Sequence, residues 1–527
     1  MQPIHSNIIP QSEGYQRNLS NMEELLNTLA QHLHEARFEG PEKHLQKARN
    51  QGKYLSRERI ELLLDQDSPF LELLPLAGIG RDGFGPCGTL VAGIGLVSGK
   101  ICLIASNIGT KKGGAIDHAT VQKHQRIAEI AYENHLPVIN LVESAGVNLP
   151  EQENIFNNAG TMFREITKRS KLGAPTISVV FGSSTAGGAY IPGMSDYAIF
   201  VKDQAQVFLA GPPLVKMATN EDAVAEELGG ASMHSKISGV SDYLADDELD
   251  GIRKAREIMA FYEPAQSNNP RQEVKPPLYA AEEIHGILPP DIKQPFDARE
   301  IIARVVDGSA FHEFKAEFGP TLITGYAHIN GFRVGIIANN GVLFSDAANK
   351  GAHFIQLCNM NAVPIVFFQN ITGFMVGKKY EQEGIIKHGA KLINAVSNSE
   401  VPAITIMTGA SYGAGNYAMM GRMYKPRFLF TYPNAKISVM GGEQLAGVMD
   451  IIRRGGGKVV DEQQLAADKQ ALVDDIERKS TPYYSSGHLW DDGVIQPSDT
   501  RIYLSMCLEV IHLQTIESSR NFGIFRM

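Results

Sequence analysis

The stretch GSSTAGGAY at residues 182–190 returns, with small changes, as GASYGAGNY at residues 409–417. The same offset of 227 positions places HLPVINLVESAG (135–146) on AVPIVFFQNITG (362–373), with proline matching proline and glycine matching glycine. A repeat at a fixed offset indicates two copies of one structural unit. The chain of 527 residues is long enough for two domains of that kind.

Each copy has the sequence pattern of an α/β unit. A helical stretch, HATVQKHQRIAEIAYENH or DAANKGAHFIQLCNMNA, leads to a proline and then to a run that is apolar on both faces, PVINLV or PIVFFQ. A second helical stretch precedes another apolar run, PTISVVFG or PAITIMTG, and the glycine turn is followed by YAIFVK or RFLFTY. Buried strands that alternate with helices predict an α/β fold with parallel strands and right-handed crossovers.

A proline-rich segment, residues 264–295, lies between the two copies. Its prolines are Pro264, Pro270, Pro276, Pro277, Pro289, Pro290 and Pro295. This composition predicts an inter-domain linker with the boundary near residues 265–290. We therefore expect an N-terminal domain over residues 1–270 and a C-terminal domain over residues 285–527.

Composition argues against several kinds of function. Lys and Arg total 49 against 58 acidic residues, so the net charge of −9 gives no electrostatic footprint for nucleic acid or an anionic membrane. The cysteines are too scattered for a zinc ribbon or a disulfide framework, and the histidines form no HExxH or HxxxH pair, so we expect no metal. The N-terminus shows neither a signal nor a transit pattern, and we expect a reduced, cytoplasmic setting.

The glycine turns are the candidate site. At the start of a helix the backbone N–H groups have no intrahelical partner, so they can bind a negative charge. The N–H groups around Gly187–Gly188 and Ala414–Gly415 would each hold a developing oxyanion. The alternative is that the glycines only allow close packing; the repetition favours the functional interpretation. Ser184 lies beside the glycines, but the pattern is not a nucleophile elbow, and we expect its hydroxyl to cap the helix.

Longer motifs resemble those of a known family. They are SSTAGGAYIPGMSD (183–196), FLAGPPLVK (208–216), FKAEFGPTL (314–322), ANNGVLF (338–344), KGAHFIQLC (350–358), QNITGFMVG (369–377), IKHGAK (386–391), ISVMGGEQ (437–444) and FGIFRM (522–527). Together with the two turns they look like the carboxyltransferase (β) subunit of biotin-dependent acyl-CoA carboxylases. The likeness covers nearly the whole chain and is greater to the methylcrotonyl-CoA and geranyl-CoA branch than to the acetyl/propionyl branch.

The resemblance implies a fold and a mechanism. Each half would be a crotonase-like (ClpP/crotonase) domain, and the N-terminal domain of one subunit would face the C-terminal domain of its neighbour within a hexamer. The N-terminal site would bind acyl-CoA, with the N–H groups of Gly187 and Gly188 stabilising a thioester enolate. The C-terminal site would bind carboxybiotin, with the N–H groups of Ala414 and Gly415 polarising the ureido carbonyl. In the family the biotin nitrogen takes the α-proton, which agrees with the absence of an evident side-chain base.

The resemblance also implies binding residues and a partner. Acyl-CoA would contact Arg57, Lys112, Ala145, Gly146 and Ala159, and biotin would contact Gly373, Phe374 and Tyr412. Arg57 and Lys112 lie in two basic stretches, GKYLSRERI and TKKGG, for which a solvated face is the commoner explanation. The sequence has no AMKM-type biotin attachment site and no P-loop, so biotin would be carried and charged by a biotin carboxylase/biotin carrier (α) subunit.

Departures from the family pattern bear on the acyl group. SSTAGG replaces SCTAGG, Ser144–Ala145–Gly146 replaces Ser-Gly-Gly, Ala159 stands where a bulky Phe occurs, and EQENIFNNAGTMF (151–163) is a few residues short. A smaller residue and a shorter loop leave room for a long chain such as geranyl-CoA. Against this, PYYSSGHLWDDGVIQPSDTR is methylcrotonyl-like.

Several alternatives remain open. The acyl group could be propionyl-CoA or another saturated acyl-CoA. The chain could instead be a decarboxylase or transcarboxylase subunit that runs the same half-reaction backwards, or a non-catalytic scaffold. An enoyl-CoA hydratase is disfavoured, because the matched turns carry no pair of positioned carboxylates.

Overall fold

The structure is a computed structural model that describes residues 2–264, 271–455 and 462–525. The chain divides into two compact units. Of the described residues, the N-terminal unit contains 32–264 and 487–489, and the C-terminal unit contains the remainder. Pro270 and the boundary expected at residue 270 lie outside the described residues. Residues 2–31 belong to the C-terminal unit, although the sequence assigned them to the domain 1–270.

Strands and longer helices follow one another in the same order in the two repeats. The strands are β1 (Gln2–Pro3), β2 (Leu71–Glu72), β3 (Leu90–Val97), β4 (Lys100–Asn107), β5 (Val138–Ser144), β6 (Thr176–Thr185), β7 (Tyr197–Val201), β8 (Gln206–Phe208), β9 (Tyr243–Ala245), β10 (Ala310–Glu313), β11 (Leu322–Ile329), β12 (Phe332–Asn339), β13 (Ile365–Ile371), β14 (Ala403–Tyr412), β15 (Phe428–Thr431) and β16 (Lys436–Ser438). The helices of eight residues or more are α1 (Glu13–Ala36), α2 (Glu42–Asn50), α3 (Ser56–Leu63), α4 (His118–Glu133), α5 (Gln152–Lys171), α6 (Pro212–Thr219), α7 (Glu248–Phe261), α8 (Ala298–Val305), α9 (Ser345–Met360), α10 (Ile385–Ser397), α11 (Gly442–Gly455), α12 (Glu462–Lys479) and α13 (Thr500–Ile511).

Each unit is built on one mixed sheet. The N-terminal sheet has the order β2-β3-β4-β5-β6-β7-β9, with β8 paired to β6. The C-terminal sheet has the order β1-β10-β11-β12-β13-β14-β15, with β16 paired to β14. The strands β4 to β7 and β12 to β15 are parallel, which confirms the predicted α/β fold. The strands that flank them, β2 to β4 and β10 to β12, are antiparallel.

The repeat extends to individual hydrogen bonds. The N–H of Ile116 donates to the carbonyl of Gly146 at 2.8 Å, and 227 positions later the N–H of Leu343 donates to the carbonyl of Gly373 at 3.2 Å. Both bonds join the loop before the first helix of the repeat to the end of the first buried strand. The end of that strand is therefore held in the same way in both units, directly beside the glycine turn.

The described part of the proline-rich segment is folded rather than extended. Residues Ala281–Glu283 and Ile284–Ile287 form helical turns, and the side chains of Ile284 and Ile287 are buried within the C-terminal unit. The N–H of Gly308 donates to the carbonyl of Pro276 at 3.2 Å. The apolar residues between the prolines thus fix this segment to the C-terminal unit.

Two buried lysines at equivalent positions provide a stability test. The ammonium of Lys123 on α4 donates to the carbonyl of Leu90 at 2.7 Å and lies 3.3 Å from Sγ of Cys87. Its counterpart Lys350 on α9 is also fully buried, but its Nζ has no hydrogen-bond partner among the described residues. Burial lowers the pKa of Lys350. A buried polar group without a partner destabilises the fold.

We expect Lys350→Met to raise the midpoint of thermal unfolding, because it removes the unpaired group and keeps the volume. The equivalent change Lys123→Met is the matched control and should lower the midpoint, because it removes the charged hydrogen bond to the carbonyl of Leu90 and leaves that carbonyl only the weak Sγ–H donor of Cys87, at a cost of about 1–3 kcal/mol. Calorimetry of the two variants would contradict this account if both midpoints moved in the same direction.

Candidate functional site

The first glycine turn lies at the end of β6. The strand ends at Thr185, a 3₁₀ turn spans Ala186–Ala189, and a short helix, Tyr190–Gly193, follows. Ala186 has a φ of 53°, so the backbone reverses sharply there. Among the described residues, neither the N–H of Gly187 nor that of Gly188 donates to an acceptor outside the turn. The predicted donors Gly187 and Gly188 therefore lie in the first residues of this turn, where backbone N–H groups can face a ligand.

The hydroxyl of Ser184 has a different role from the one expected. Instead of capping the helix by accepting an N–H, it donates to the carbonyl of Gly188 at 2.9 Å. The reason is that Ser184 still belongs to β6 and is fully buried, so its hydroxyl points across the turn. This bond fixes the peptide between Gly188 and Ala189.

The end of β5, where the predicted acyl-CoA residues Ala145 and Gly146 lie, packs against the first turn. A Cβ on Gly146, whose φ is 87°, would come within 2.9 Å of the carbonyl oxygen of Thr185, so only glycine fits there. The N–H of Ala145 donates to the carbonyl of Gly113 at 2.9 Å. The loop Lys112–Gly114 is therefore tied to the same edge.

The two predicted basic residues differ in their surroundings. Lys112 is half exposed, with its Nζ 3.6 Å from Asp117. The guanidinium of Arg57 is held in a bidentate pair by Glu72 at 2.7 and 2.8 Å, and it also donates to the carbonyl of Ala36. Among the described residues, the structure shows no contact between Arg57 and the turn.

Two aromatic residues beside the turn were not identified from the sequence. Phe163 on α5 has its Cζ 3.8 Å from the position that a Cβ on Gly187 would take. Its ring centroid lies 5.6 Å from that of Tyr190, which is half exposed. The repetition of this tyrosine as Tyr417 was the signal available. The predicted Ala159, one helical turn before Phe163, packs against the apolar cluster behind the turn.

A buried network of ion pairs packs against β6 just before the first turn. Glu143 on β5 packs within 2.8 Å of where a Cβ on Gly182 would lie, and it binds Arg59 at 2.8 Å and Lys53 at 2.5 Å. Arg59 also binds Glu248. Burial opposes ionisation of Glu143, but the charges of Arg59 and Lys53 outweigh it and lower its pKa. Glu143 is therefore an ionised, paired carboxylate and a poor proton acceptor.

The second turn presents donors in the same manner. Gly413 adopts a φ of 54°, its N–H donates to the carbonyl of Ser438 at 3.1 Å, and the helix Ala414–Ala418 begins at the next residue. Among the described residues, the N–H groups of Ala414 and Gly415 donate to no acceptor. A Cβ on Gly415 would lie 2.5 Å from Cγ1 of Ile371, so the turn sits tightly on the end of β13.

The predicted biotin residues border the second turn. Tyr412 ends β14 directly before it and is 8% exposed, and burial, with the charge of Glu477, raises its pKa to about 12. Gly373, with a φ of 140°, follows β13 at the position equivalent to Gly146. Phe374 is partly buried and packs 3.0 Å from the position of a Cβ on Gly389. Gly373 and Tyr412 are thus adjacent to the turn along the chain, and Phe374 anchors the loop.

The two turns can stabilise negative charge on oxygen. Each offers a pair of neighbouring N–H groups whose donors are already oriented by the fold, which is the requirement for an oxyanion hole. In the described ranges, no group of three acidic, histidine or cysteine side chains could hold a metal ion. None of the helices in those ranges combines the length and hydropathy needed to span a bilayer.

Known proteins match this chain along nearly its whole length. A family model described as carboxyl transferase domain matches residues 47–524. The chain is 50% identical to a probable biotin-dependent acyl-coenzyme A carboxylase beta2 subunit of Mycobacterium tuberculosis, over 99% of this chain and 100% of that protein. It is 48% identical to the mitochondrial methylcrotonoyl-CoA carboxylase beta chain of Arabidopsis thaliana, over 98% and 90%. The crystal structure of the geranyl-CoA carboxylase beta subunit of P. aeruginosa matches with a TM-score of 0.90 and 40% identity, over 99% of both chains.

Proposed function

Since the chain belongs to the carboxyl transferase domain family, we propose that it transfers a carboxyl group from biotin on a partner chain to a branched or unsaturated acyl-CoA. It is the carboxyltransferase component of a biotin-dependent acyl-CoA carboxylase, and its two units are tandem crotonase-like domains. The observation that carries the proposal is the pair of equivalent turns, each of which places two neighbouring backbone N–H groups at the start of a helical segment. Two carbonyl oxygens must accept negative charge in this reaction, one on each substrate.

The first turn is assigned to the acyl-CoA. The N–H groups of Gly187 and Gly188 bind the thioester oxygen and stabilise the enolate that forms when the α- or γ-proton leaves. Ala145 and Gly146 form the opposite wall, and Lys112 lies on the loop tied to that wall, where it can attract a phosphate of CoA. Arg57 would act at longer range, because its guanidinium is already paired.

The second turn is assigned to biotin. The residues of this turn fit a neutral carbonyl group. The N–H groups of Ala414 and Gly415 would hold the ureido oxygen, beside Gly373 and Tyr412, with Phe374 fixing the loop. When bound, biotin supplies the carboxyl group and a nitrogen that can take up the substrate proton. This chain's part is to orient the ring and to stabilise charge on its oxygen.

The proposal includes partners. An α subunit carries and charges the biotin, and copies of this chain assemble as a hexamer in which each N-terminal unit meets the C-terminal unit of a neighbour. We place the complex in the cytoplasm. The relatives named above are beta subunits or chains, which supports an α partner.

The acyl group is tested on the complex recovered through its biotinylated partner. With ATP and bicarbonate present, acetyl-, propionyl-, 3-methylcrotonyl- and geranyl-CoA are supplied in turn, and the gain of a carboxyl group is followed by mass. We expect 3-methylcrotonyl-CoA or geranyl-CoA to be carboxylated well above the saturated substrates. Preference for propionyl-CoA would contradict the proposed specificity for branched or unsaturated acyl-CoA. If the biotin of the complex became charged but no acyl-CoA were carboxylated, the chain would be a scaffold.

The size of residue 159 should affect chain-length preference. Ala159→Phe adds a ring one helical turn from Phe163 and is expected to lower kcat/KM for geranyl-CoA about 10-fold more than for 3-methylcrotonyl-CoA. Asn157→Phe, at an exposed position of the same helix, is the matched control. It should leave the ratio of kcat/KM for geranyl-CoA to kcat/KM for 3-methylcrotonyl-CoA unchanged. Equal losses with both acyl groups would remove Ala159 from the acyl pocket.

A further inference from the structure

A small cavity with polar residues in its wall lies within the N-terminal unit, between α4, α5 and the adjoining strands. Its volume is about 40 Å³. Most of its lining is apolar, but one polar side chain comes from each of three elements: His124 from α4, Asn140 from β5 and Arg169 from α5. One water needs about 10–15 Å³ measured in this way, so the cavity holds a ligand of a few atoms.

Arg169 enters this cavity wall as a buried cation without a carboxylate partner. The residue is 3% exposed; its Nη2 donates to Oγ1 of Thr176 at 3.0 Å, and its Nε has no acceptor among the described residues. The two nearby carboxylates have other partners: Glu165 is bound by Arg164 at 2.8 Å, and Asp196 accepts the N–H of Thr176. Burial lowers the pKa of Arg169 to about 10. The group stays charged; the charges of Glu165 and Asp196 act on it, but neither carboxylate forms an ion pair with it in the described part of the chain.

His124 provides a second polar group without a partner. It is 8% exposed, and its Nε2 has no hydrogen-bond partner in the described part of the chain. Burial, together with the charge of Lys123, lowers the pKa of His124 to about 4. The ring is therefore neutral near pH 7, and one of its nitrogens carries a proton that it can donate.

The other repeat shows that the fold does not need these polar groups. At the positions 227 residues later, the C-terminal unit has glycine or apolar residues, namely Gly351, Phe367 and Val396. Phe367 and Val396 are fully buried in its core, and a Cβ on Gly351 would lie 2.8 Å from Leu322. The same space is thus filled by close apolar packing in one repeat and lined by an unpaired cation in the other.

We propose that this cavity is a binding site for a small monovalent anion, a halide or a carboxylate the size of formate. Arg169 supplies the compensating positive charge, and His124 supplies a neutral donor on the facing helix. The site is separate from the glycine turns, so it stands independently of the proposed function. Binding would stabilise the contact between α4 and α5, because the anion is held by one side chain from each helix.

The test measures thermal unfolding of the full-length protein in its native assembly. Sodium chloride, bromide or formate replaces sodium gluconate, whose anion is too large for the cavity, at constant ionic strength. The midpoint should rise by about 5 °C as the small anion goes from about 10 mM to about 1 M. Arg169→Met should abolish this rise. The matched control is Arg304→Met, another buried arginine but one paired with Glu283 and Glu300, and it should keep the rise.

Crystals soaked in bromide provide a readout that needs no variant. Anomalous density within hydrogen-bond distance of Arg169 and His124 would support the site, and parallel soaks in formate would separate a halide site from a carboxylate site. The proposal would be overturned if the unfolding midpoint were the same in the small-anion salts as in gluconate, or if the rise persisted in Arg169→Met. It would also be overturned if the cavity held only water in the bromide-soaked crystals.

Discussion

Replacing Gly188 with proline should lower carboxylation of acyl-CoA by about 10²–10³-fold, equivalent to about 3–4 kcal/mol of transition-state stabilisation. Proline removes one N–H of the first turn and leaves the carbonyl that accepts the hydroxyl of Ser184. The measurement is the rate of carboxylation in the reconstituted complex, with assembly checked by size.

The matched control is Gly188→Ala, which keeps the N–H. A Cβ at this position would lie 3.6 Å from Oγ of Ser184 and 3.9 Å from Cα of Gly146, which are ordinary contacts. We expect this variant to stay within about 10-fold of the parent, since no donor is lost. If the proline variant assembled and turned over as fast as the alanine variant, the oxyanion assignment of the first turn would be wrong.

The second turn should respond in the same way to Ala414→Pro. Ala414 is the first residue of its helix, where proline is favoured, and Gly413 before it lies outside the α region that a following proline disfavours. The change removes one unpaired N–H and should slow carboxyl transfer by about 10²–10³-fold. Affinity for acyl-CoA should not change, because that substrate is assigned to the other repeat.

Ala414→Gly is the control for this site, since it keeps the N–H and removes only an exposed methyl group. The two readouts are the carboxylation rate and the equilibrium binding of the acyl-CoA. If Ala414→Pro lost acyl-CoA binding and Ala414→Gly did not, the assignment of the second turn to biotin would be wrong.

The parallel core of both units was predictable from the sequence because its signals are local and repeated. The runs PTISVVFG and PAITIMTG form β6 and β14, which are both nearly fully buried. Each strand begins at the residue after the proline of its run. The antiparallel hairpins were missed, although their turns carry a signal. Ser98–Gly99 and Asn330–Gly331 have positive φ at both residues, as two-residue hairpin turns require.

The placement of residues 2–31 could not be predicted, because it depends on contacts between residues far apart in sequence. Ser6 donates to Glu300 at 2.6 Å, and β1 pairs with β10. An amphipathic pattern such as that of α1 shows that a helix has a buried face, but not which sheet covers it.

The glycine turns themselves were predictable, and their supports were not. The repetition in the sequence was enough to identify Gly187, Gly188, Ala414 and Gly415 as candidate donors. Glu143 beneath the first turn depends on Arg59, which is 84 residues away in sequence and gave no local signal. A charged residue in a buried strand is recognisable only once its partner is known.

The most direct test of the central claim uses this chain alone. The purified, assembled subunit is given a carboxylated acyl-CoA, such as 3-methylglutaconyl-CoA, with free biotin and without ATP or the α subunit. If the two turns transfer the carboxyl group between biotin and acyl-CoA, the acyl-CoA will lose one carboxyl group by mass only when biotin is present. Gly188→Pro and Ala414→Pro should each suppress that loss. The account would be contradicted if a correctly assembled subunit, in saturating biotin, left both carboxylated 3-methylcrotonyl-CoA and carboxylated geranyl-CoA intact.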